Sequence, residues 1–171
     1  MRRRNPHENE FCKIFCGFSN KCIQKDDIQD LYLKLIEADI IVLGSPTYYD
    51  NVSGIMKNFM DRCLPFYFSE GLKNKKIILV AMGGFKSLVD YDKDGNCIWC
   101  KKNNLCERSV LRCLDSLKYF SEHLGLRIFG TVHAFHGNPQ AKEKELIKLG
   151  KKIDKKLIVE KAGAKEKFEK T

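Results

Sequence analysis

The fold is decided by one stretch of sequence, Ile40-Ile41-Val42-Leu43-Gly44-Ser45-Pro46-Thr47-Tyr48. Its first five residues form a short, continuous apolar run rich in β-branched side chains, which is typical of a parallel strand buried on both faces. The residues from Ser45 to Asn51 carry turn chemistry instead. We therefore predict a buried strand over 40–44 that runs directly into a loop.

Helix and strand patterns alternate on both sides of this strand. An amphipathic helix is predicted to start at Asp26 and Asp27, because acidic residues favour the positive end of a helix. A second helix follows the loop and is expected to end at Pro65. The remaining predicted elements are a strand over 76–82, a helix with an apolar face from Val110 to Leu124, a strand over 127–135 and a closing helix over 142–161.

This alternation predicts the α/β fold class, with a parallel sheet between helical layers. The length of 171 residues predicts one domain, which we place at 1–161. Within it, we expect a cysteine-containing N-terminal segment over 1–25 and a cysteine-containing insertion over 90–108. We expect 162–171 to be a disordered basic tail.

Composition and charge narrow the function classes. Hydrophobic residues make up 43% and charged residues 31%, which is a globular composition, and no apolar run is long enough to span a membrane. No secretory signal is recognisable, so we expect a reducing, cytoplasmic location. The net charge of +9 is concentrated near the lysine-rich end, but acidic residues interrupt the lysines and no aromatic residues alternate with them. A solvated helix face is therefore favoured over nucleic-acid binding.

Two loops are candidates for a ligand site, because ligands bind beyond the carboxyl ends of parallel strands. Pro46 stiffens the first loop, and the tyrosines behind it offer flat faces for stacking. The second loop contains Gly83 and Gly84, where a planar group could approach the backbone closely. On the residues alone, a slot for an aromatic ring and a pair of ordinary turns are equally good interpretations.

Six of the eight cysteines fall into two groups with the spacing of metal ligands. In a reducing compartment, clustered cysteines more often bind metal or do redox work than form disulfides. Cys63 and Cys113 are separate from these groups, and we expect them to be core residues on apolar helix faces. The predicted metal ligands are Cys12, Cys16 and Cys22 in the first group and Cys97, Cys100 and Cys106 in the second.

The residues from Asp26 to Arg62, with Ile40–Tyr48 at their centre, resemble the NADPH-dependent FMN reductase family, and most closely its iron–sulfur flavoprotein branch. The resemblance implies a flavodoxin-like three-layer fold, bound FMN, a [4Fe–4S] cluster near the first cysteines, and a homodimer or larger homo-oligomer. Whether Arg62 lies on a helix surface, at a subunit contact or at a ligand is left open. The flavin-binding residues that it implies are Ser45, Pro46, Thr47, Tyr48, Tyr49, Asn51 and Val52 on one side, and Met82, Gly83 and Gly84 on the other.

The chain departs from that family in two ways. Only 25 residues precede Asp26, which is too few for the βαβ unit and phosphate-binding loop that open the family's fold. We expect a truncated reading frame, although a degenerate gene or a second subunit that supplies the missing layer would also account for it. The first cysteine group has C-x3-C-x5-C spacing, whereas the branch has four cysteines, so a fourth ligand is missing.

We therefore expect a redox flavoprotein that transfers electrons between FMN and an iron–sulfur cluster and is supplied by ferredoxin or NAD(P)H. No catalytic side chain is predicted, since the cofactors carry the redox chemistry, and the sequence leaves open whether the protein is an enzyme or an electron carrier. The alternative is a cysteine-rich metal-binding module without flavin, in which the metal, zinc for example, organises a partner surface.

Overall fold

A computed structural model of the chain describes Cys22, Gln24 and the ranges 26–84, 92–93, 97–98, 104–135 and 142–153. Outside these residues lie Cys12, Cys16, Cys100 and the predicted tail. The expectation that the N-terminal βαβ unit is missing concerns residues 1–25, most of which also lie outside them. The elements in chain order are α1 (Ile28–Glu37), β1 (Ile40–Tyr48), β2 (Asn51–Val52), α2 (Gly54–Arg62), α3 (Leu64–Ser69), β3 (Lys76–Met82), α4 (Leu105–His123), β4 (Arg127–Ala134) and α5 (143–153).

The described strands form one sheet with the order β2-β1-β3-β4. β1, β3 and β4 are parallel, and each is followed by helix in the way that a parallel sheet requires. β2 is a two-residue antiparallel addition to the end of β1, where Thr47 pairs with Val52 and Tyr48 pairs with Asn51. The predicted α/β fold class with a parallel sheet is confirmed.

One face of the sheet is covered by helices α1 to α4. The side chains of Ile41 and Leu43 from β1, and of Ile77, Leu79 and Ala81 from β3, point to this face and are buried. The cluster also contains Cys63 and Cys113, which confirms the prediction that both are core residues. This face therefore supplies most of the apolar burial that stabilises the fold.

The opposite face is covered only in part by the described residues. Leu149 of α5 lies against Gly130 of β4, whose strand partner Ile78 is buried. α5 does not extend as far as β1, where Val42 is 64% exposed. The prediction that this strand is buried on both faces is thus wrong for β1 within the described part of the chain, although it holds for β3.

Two element boundaries also differ from the sequence prediction. β1 continues through Pro46 to Tyr48, because it pairs with β3 as far as Pro46 and with β2 at Thr47 and Tyr48, which a list of turn-forming residues does not reveal. Pro65 does not end a helix. It lies in the first turn of α3, where its missing N–H costs no hydrogen bond. None of the helices in the described ranges is long and apolar enough to cross a membrane.

Candidate functional site

A cavity of about 460 Å³ lies where β1 and β3 end. Most of the surface that lines it is apolar, and it is open on one side. It is the place that the topology of a parallel sheet favours for a ligand. Its lining residues are Gly44, Ser45, Pro46, Thr47, Tyr48, Val80, Met82, Gly83 and Gly84.

Two glycines give the cavity its shape for different reasons. A Cβ atom on Gly44 would lie 3.6 Å from Val80 Cβ, which is ordinary contact, so a side chain would fit there. A Cβ atom on Gly83 would lie 2.7 Å from Cγ2 of Val110, a buried and conformationally stiff side chain of α4. Gly83 is therefore required for packing, whereas a side chain at Gly44 would fit but would occupy part of the cavity.

Ser45 fixes the loop that forms the cavity wall. Its buried hydroxyl donates a hydrogen bond to the Pro46 carbonyl oxygen (2.8 Å) and accepts one from the Ser53 backbone N–H (3.0 Å). Ser53 in turn caps α2, because its hydroxyl oxygen accepts the Met56 N–H at 3.2 Å. One short chain of hydrogen bonds thus connects the end of β1 with the start of α2.

The hairpin beside the cavity is held by α4. Tyr49 and Asp50 form its tip, both with positive φ, and Asp50 is ion-paired with Arg112. The Ser109 hydroxyl and the Arg112 guanidinium lower the pKa of the Asp50 carboxyl below its ordinary value. Ser116 donates a hydrogen bond to the Asn51 side-chain oxygen (3.2 Å).

The structure thus brings seven of the ten predicted flavin-site residues together and places three elsewhere. Tyr49 projects fully into solvent at the hairpin tip, Val52 is part of the core, and Asn51 is engaged with α4 and with the Val52 N–H. Gly44 and Val80 line the cavity although the sequence prediction did not include them. Both residues lie in strands shortly before the two predicted loops, and this position is the signal that could have identified them.

Thr47 supplies an unsatisfied polar atom beside the cavity. Its hydroxyl oxygen is buried, and no group in the described part of the chain meets hydrogen-bond geometry with it, although the Cys113 thiol is close enough to interact. Burial raises the pKa of the Cys113 thiol, which keeps that neighbour neutral. A buried hydroxyl without a satisfied partner is costly, but this oxygen is enclosed by protein on the side of α4 and does not open into the cavity.

Cys22, the described member of the first cysteine group, lies against Arg62 at the end of α2. The Arg62 guanidinium donates two hydrogen bonds of 2.8 Å to the Asp26 carboxylate and one of 3.4 Å to Cys22 Sγ. Its side chain is only 12% exposed, and its Nε is buried without a partner in the described residues. The pair with Asp26 raises the pKa of Arg62, which therefore stays charged.

Tyr32 completes the surroundings of Cys22, since its hydroxyl donates to the backbone oxygen of Arg62. Burial raises the pKa of Tyr32 as well, so the ring remains neutral. A fixed positive charge beside the sulfur suits a ligand of an anionic metal group. The contact between Arg62 and Cys22 was not predictable from local patterns, because 40 residues separate them.

In the second cysteine group, Cys97 and Cys106 lie side by side, with their sulfur atoms 3.9 Å apart. Within the described ranges, no group of three or more histidine, cysteine or acidic side chains is arranged to hold a metal ion. Cys12, Cys16 and Cys100 lie outside the described residues. The predicted metal site of the first cysteine group, of which Cys22 alone is described, therefore stays a prediction.

Comparison with known proteins points to one family. The model of the NADPH-dependent FMN reductase family matches residues 4–90. An iron–sulfur flavoprotein of Methanocaldococcus jannaschii is 37% identical over 84 residues, which cover 43% of this chain and 40% of that protein. An iron–sulfur flavoprotein of Archaeoglobus fulgidus is 42% identical over 60 residues, which cover 35% of this chain and 27% of that protein.

Among solved structures, the Trp repressor binding protein from Bacillus subtilis is similar with a TM-score of 0.48 and 18% identity, over 74% of this chain and 70% of that chain. The matched segments of the two flavoproteins span less than half the length of either relative. The family match includes β1 and its loop, β3 and the start of the Gly83 bend.

Proposed function

Because this chain belongs to the NADPH-dependent FMN reductase family, we propose that it is a flavin redox protein whose cavity between the Pro46 and Gly83 bends binds the ring system of FMN. The observation that carries the proposal is the apolar cavity of about 460 Å³ at the carboxyl ends of two parallel strands. Bound FMN supplies redox chemistry in steps of one or two electrons.

The residues of the cavity match the apolar face of a flat ring. Gly44 leaves room for the ring plane against β1, while Val80 and Met82 offer apolar contact from β3. The role of the protein is to hold the ring in one orientation and exclude water from one face.

We propose a [4Fe–4S] cluster at the first cysteine group, with Cys12, Cys16 and Cys22 as ligands. The names of the two relatives support a cluster in that branch. The contact of Arg62 with Cys22 Sγ supports the assignment of Cys22, because a hydrogen bond to a ligand sulfur and a nearby positive charge stabilise a reduced, more negative cluster. Arg62 would thereby help to set the reduction potential.

The physiological partners belong to the same proposal. NAD(P)H or a ferredoxin would supply electrons, and the protein would act as a homodimer or larger homo-oligomer in the cytoplasm. The family description supports NADPH as the donor. A ferredoxin would instead be favoured if reduction required a one-electron carrier, and stopped-flow reduction with each donor separates the two.

The proposal is tested by titrating FMN into the full chain, purified without oxygen, and following the quenching of flavin fluorescence. Gly44→Ala places a methyl group in the cavity without a clash, so we expect it to weaken FMN binding by about tenfold while the protein remains folded. Gly150→Ala on α5 is the matched control, because a Cβ atom there meets nothing within 4 Å.

Equal FMN affinity in the wild type and in Gly44→Ala would place the flavin elsewhere. Wild-type protein that binds no FMN but holds metal would favour the alternative function, a cysteine-rich metal-binding module.

A further inference from the structure

One turn of helix α4 contacts both bends that form the cavity. Its two residues on this side, Val110 and Cys113, are three positions apart, so they share one face of the helix, and both are buried. We propose that Cys113 is a positioning residue of the flavin cavity, because its thiol holds the Pro46 bend in the conformation that shapes the wall. The inference rests on the proposed function, to which it adds a residue outside the cavity lining.

The thiol of Cys113 faces three polar groups of the Pro46 bend. Its Sγ atom lies 3.9 Å from the Pro46 carbonyl oxygen, which is within the range of a hydrogen bond donated by an S–H group. The hydroxyls of Ser45 and Thr47 also interact with the sulfur. Because Cys113 is completely buried, these contacts are made away from water, where each of them is stronger.

The Pro46 carbonyl oxygen can accept two hydrogen bonds, and the fold provides two donors for it. The hydroxyl of the preceding residue, Ser45, donates to it at 2.8 Å. The Cys113 thiol approaches it from α4. Ser45 belongs to the bend itself, whereas Cys113 belongs to a different element. Of these two donors, the thiol is therefore the one that fixes the bend relative to the helix layer.

The hydroxyl of Thr47 gives the thiol a second role. This oxygen is buried and meets hydrogen-bond geometry with no group in the described residues, but the Cys113 sulfur is near enough to interact. A sulfur atom accepts hydrogen bonds weakly, yet it reduces the penalty of a buried unpaired hydroxyl. Replacement of the thiol by hydrogen would remove this neighbour, so the bend would be favoured to move until Thr47 finds another partner.

The same turn of α4 also fixes the opposite wall. A Cβ atom on Gly83 would lie 2.7 Å from Val110 Cγ2 and 3.2 Å from Thr47 Cβ, so this glycine fits closely between them. Its backbone N–H donates to the Ala134 carbonyl oxygen at 3.0 Å, which attaches the bend to the end of β4. The contacts return to Cys113 through Thr47, and this closed ring sets the distance between the two walls.

The test compares FMN binding by the wild type and three variants of the full chain, all purified without oxygen. Cys113→Ala should weaken binding by about fivefold to tenfold, because it removes hydrogen bonds that hold the bend. Cys113→Ser keeps a donor and an acceptor at the same place and should bind within about twofold of the wild type. Cys63→Ala is the matched control, since it also removes a buried thiol from the core, and its FMN affinity should be unchanged.

A second measurement needs no flavin. Hydrogen–deuterium exchange of the FMN-free protein, followed by NMR, reports opening of the bend through the Ser53 amide, which donates to the Ser45 hydroxyl at 3.0 Å. We expect about fivefold faster exchange of this amide in Cys113→Ala, and the wild-type rate in Cys113→Ser and Cys63→Ala. If Cys113→Ala does not fold, Cys113→Val takes its place, because the larger apolar side chain leaves no cavity.

Wild-type FMN affinity or a wild-type exchange rate in Cys113→Ala would overturn the inference. An equal loss of affinity in Cys63→Ala would overturn it too, since the cause would then be general loosening of the core. An equal loss in Cys113→Ser would exclude the hydrogen bonds as the cause. If the wild type binds no FMN, or Gly44→Ala binds it equally well, the proposed function fails, and the exchange measurement still decides whether Cys113 positions the bend.

Discussion

The two faces of the sheet differ sharply although the same strands form both. On β1, Ile41 is 7% exposed and its neighbour Val42 is 64% exposed, and both are β-branched apolar residues. The face that contains Ile41 is covered by helices α1 to α4. On the face that contains Val42, α5 covers only the β4 side within the described ranges. Residue type therefore predicts a strand, whereas the elements packed against it decide which of its faces is buried.

The difference has a functional counterpart. The covered face carries the stabilising core, and the open face continues into the cavity through Gly44, Val80 and Met82. A binding site at the edge of a hydrophobic core needs apolar surface that the protein's own side chains leave uncovered. The following predictions separate these two roles.

The largest effect is expected for Leu79→Ala on the covered face. Leu79 is completely buried, so the variant should lose about 3 kcal/mol of unfolding free energy through lost burial and a cavity. Val42→Ala is the control on the open face and should cost less than about 1 kcal/mol. Chemical denaturation measures both, and equal losses would mean that the open face is packed as tightly as the covered one.

The next largest effect is expected for Gly83→Ala, whose new methyl group would point toward Val110 on the covered side. Overpacking of this kind costs about 1–3 kcal/mol. Gly44→Ala, with its methyl group on the open side, should unfold at nearly the wild-type denaturant concentration. The idea fails if both variants have the same stability.

Alkaline pH should weaken the covered face through Cys63. Burial raises the pKa of this thiol to about 12 from an ordinary value of 9.0. Between these values the unfolded chain loses the proton and the folded protein keeps it, so the free energy of unfolding should fall as the pH rises. Cys63→Ala should show a shallower decline over the same pH range, and parallel pH profiles would exclude the thiol as the cause.

The smallest change in stability is expected for Val42→Ser. Loss of an exposed apolar group should alter the free energy of unfolding by about 0.5 kcal/mol or less. It should nevertheless reduce self-association, because Val42 contributes exposed apolar surface to the open face of the sheet. Light scattering against concentration measures this effect, and stronger association of the variant would contradict it.

Most of the elements could be predicted from local patterns. The periodicity of Val110, Cys113, Leu114 and Leu117 indicated the buried side of α4, and the apolar run over 76–82 matches β3. The role of Pro65 was not predictable, because proline is compatible with the first turn of a helix as well as with the end of one. The β1–β2 hairpin escaped prediction because its pairing involves only two residues.

The candidate site shows the same division. Pro46, Gly83 and Gly84 identified both loops, because proline and glycine restrict or free the backbone locally. Gly44 and Val80 were missed, since their place in the cavity depends on how β1 and β3 pair. The contact between Arg62 and Cys22 and the approach of Cys97 to Cys106 likewise follow from chain folding over longer distances.

Short-range patterns of apolar, proline and glycine residues were enough to predict the alternation of helices and strands, the two loops at the strand ends and the family. The open face of β1, the residues that line the cavity and the contacts between cysteines became clear only in the folded chain. These properties depend on strand register and helix packing, which bring together residues that are far apart in the chain.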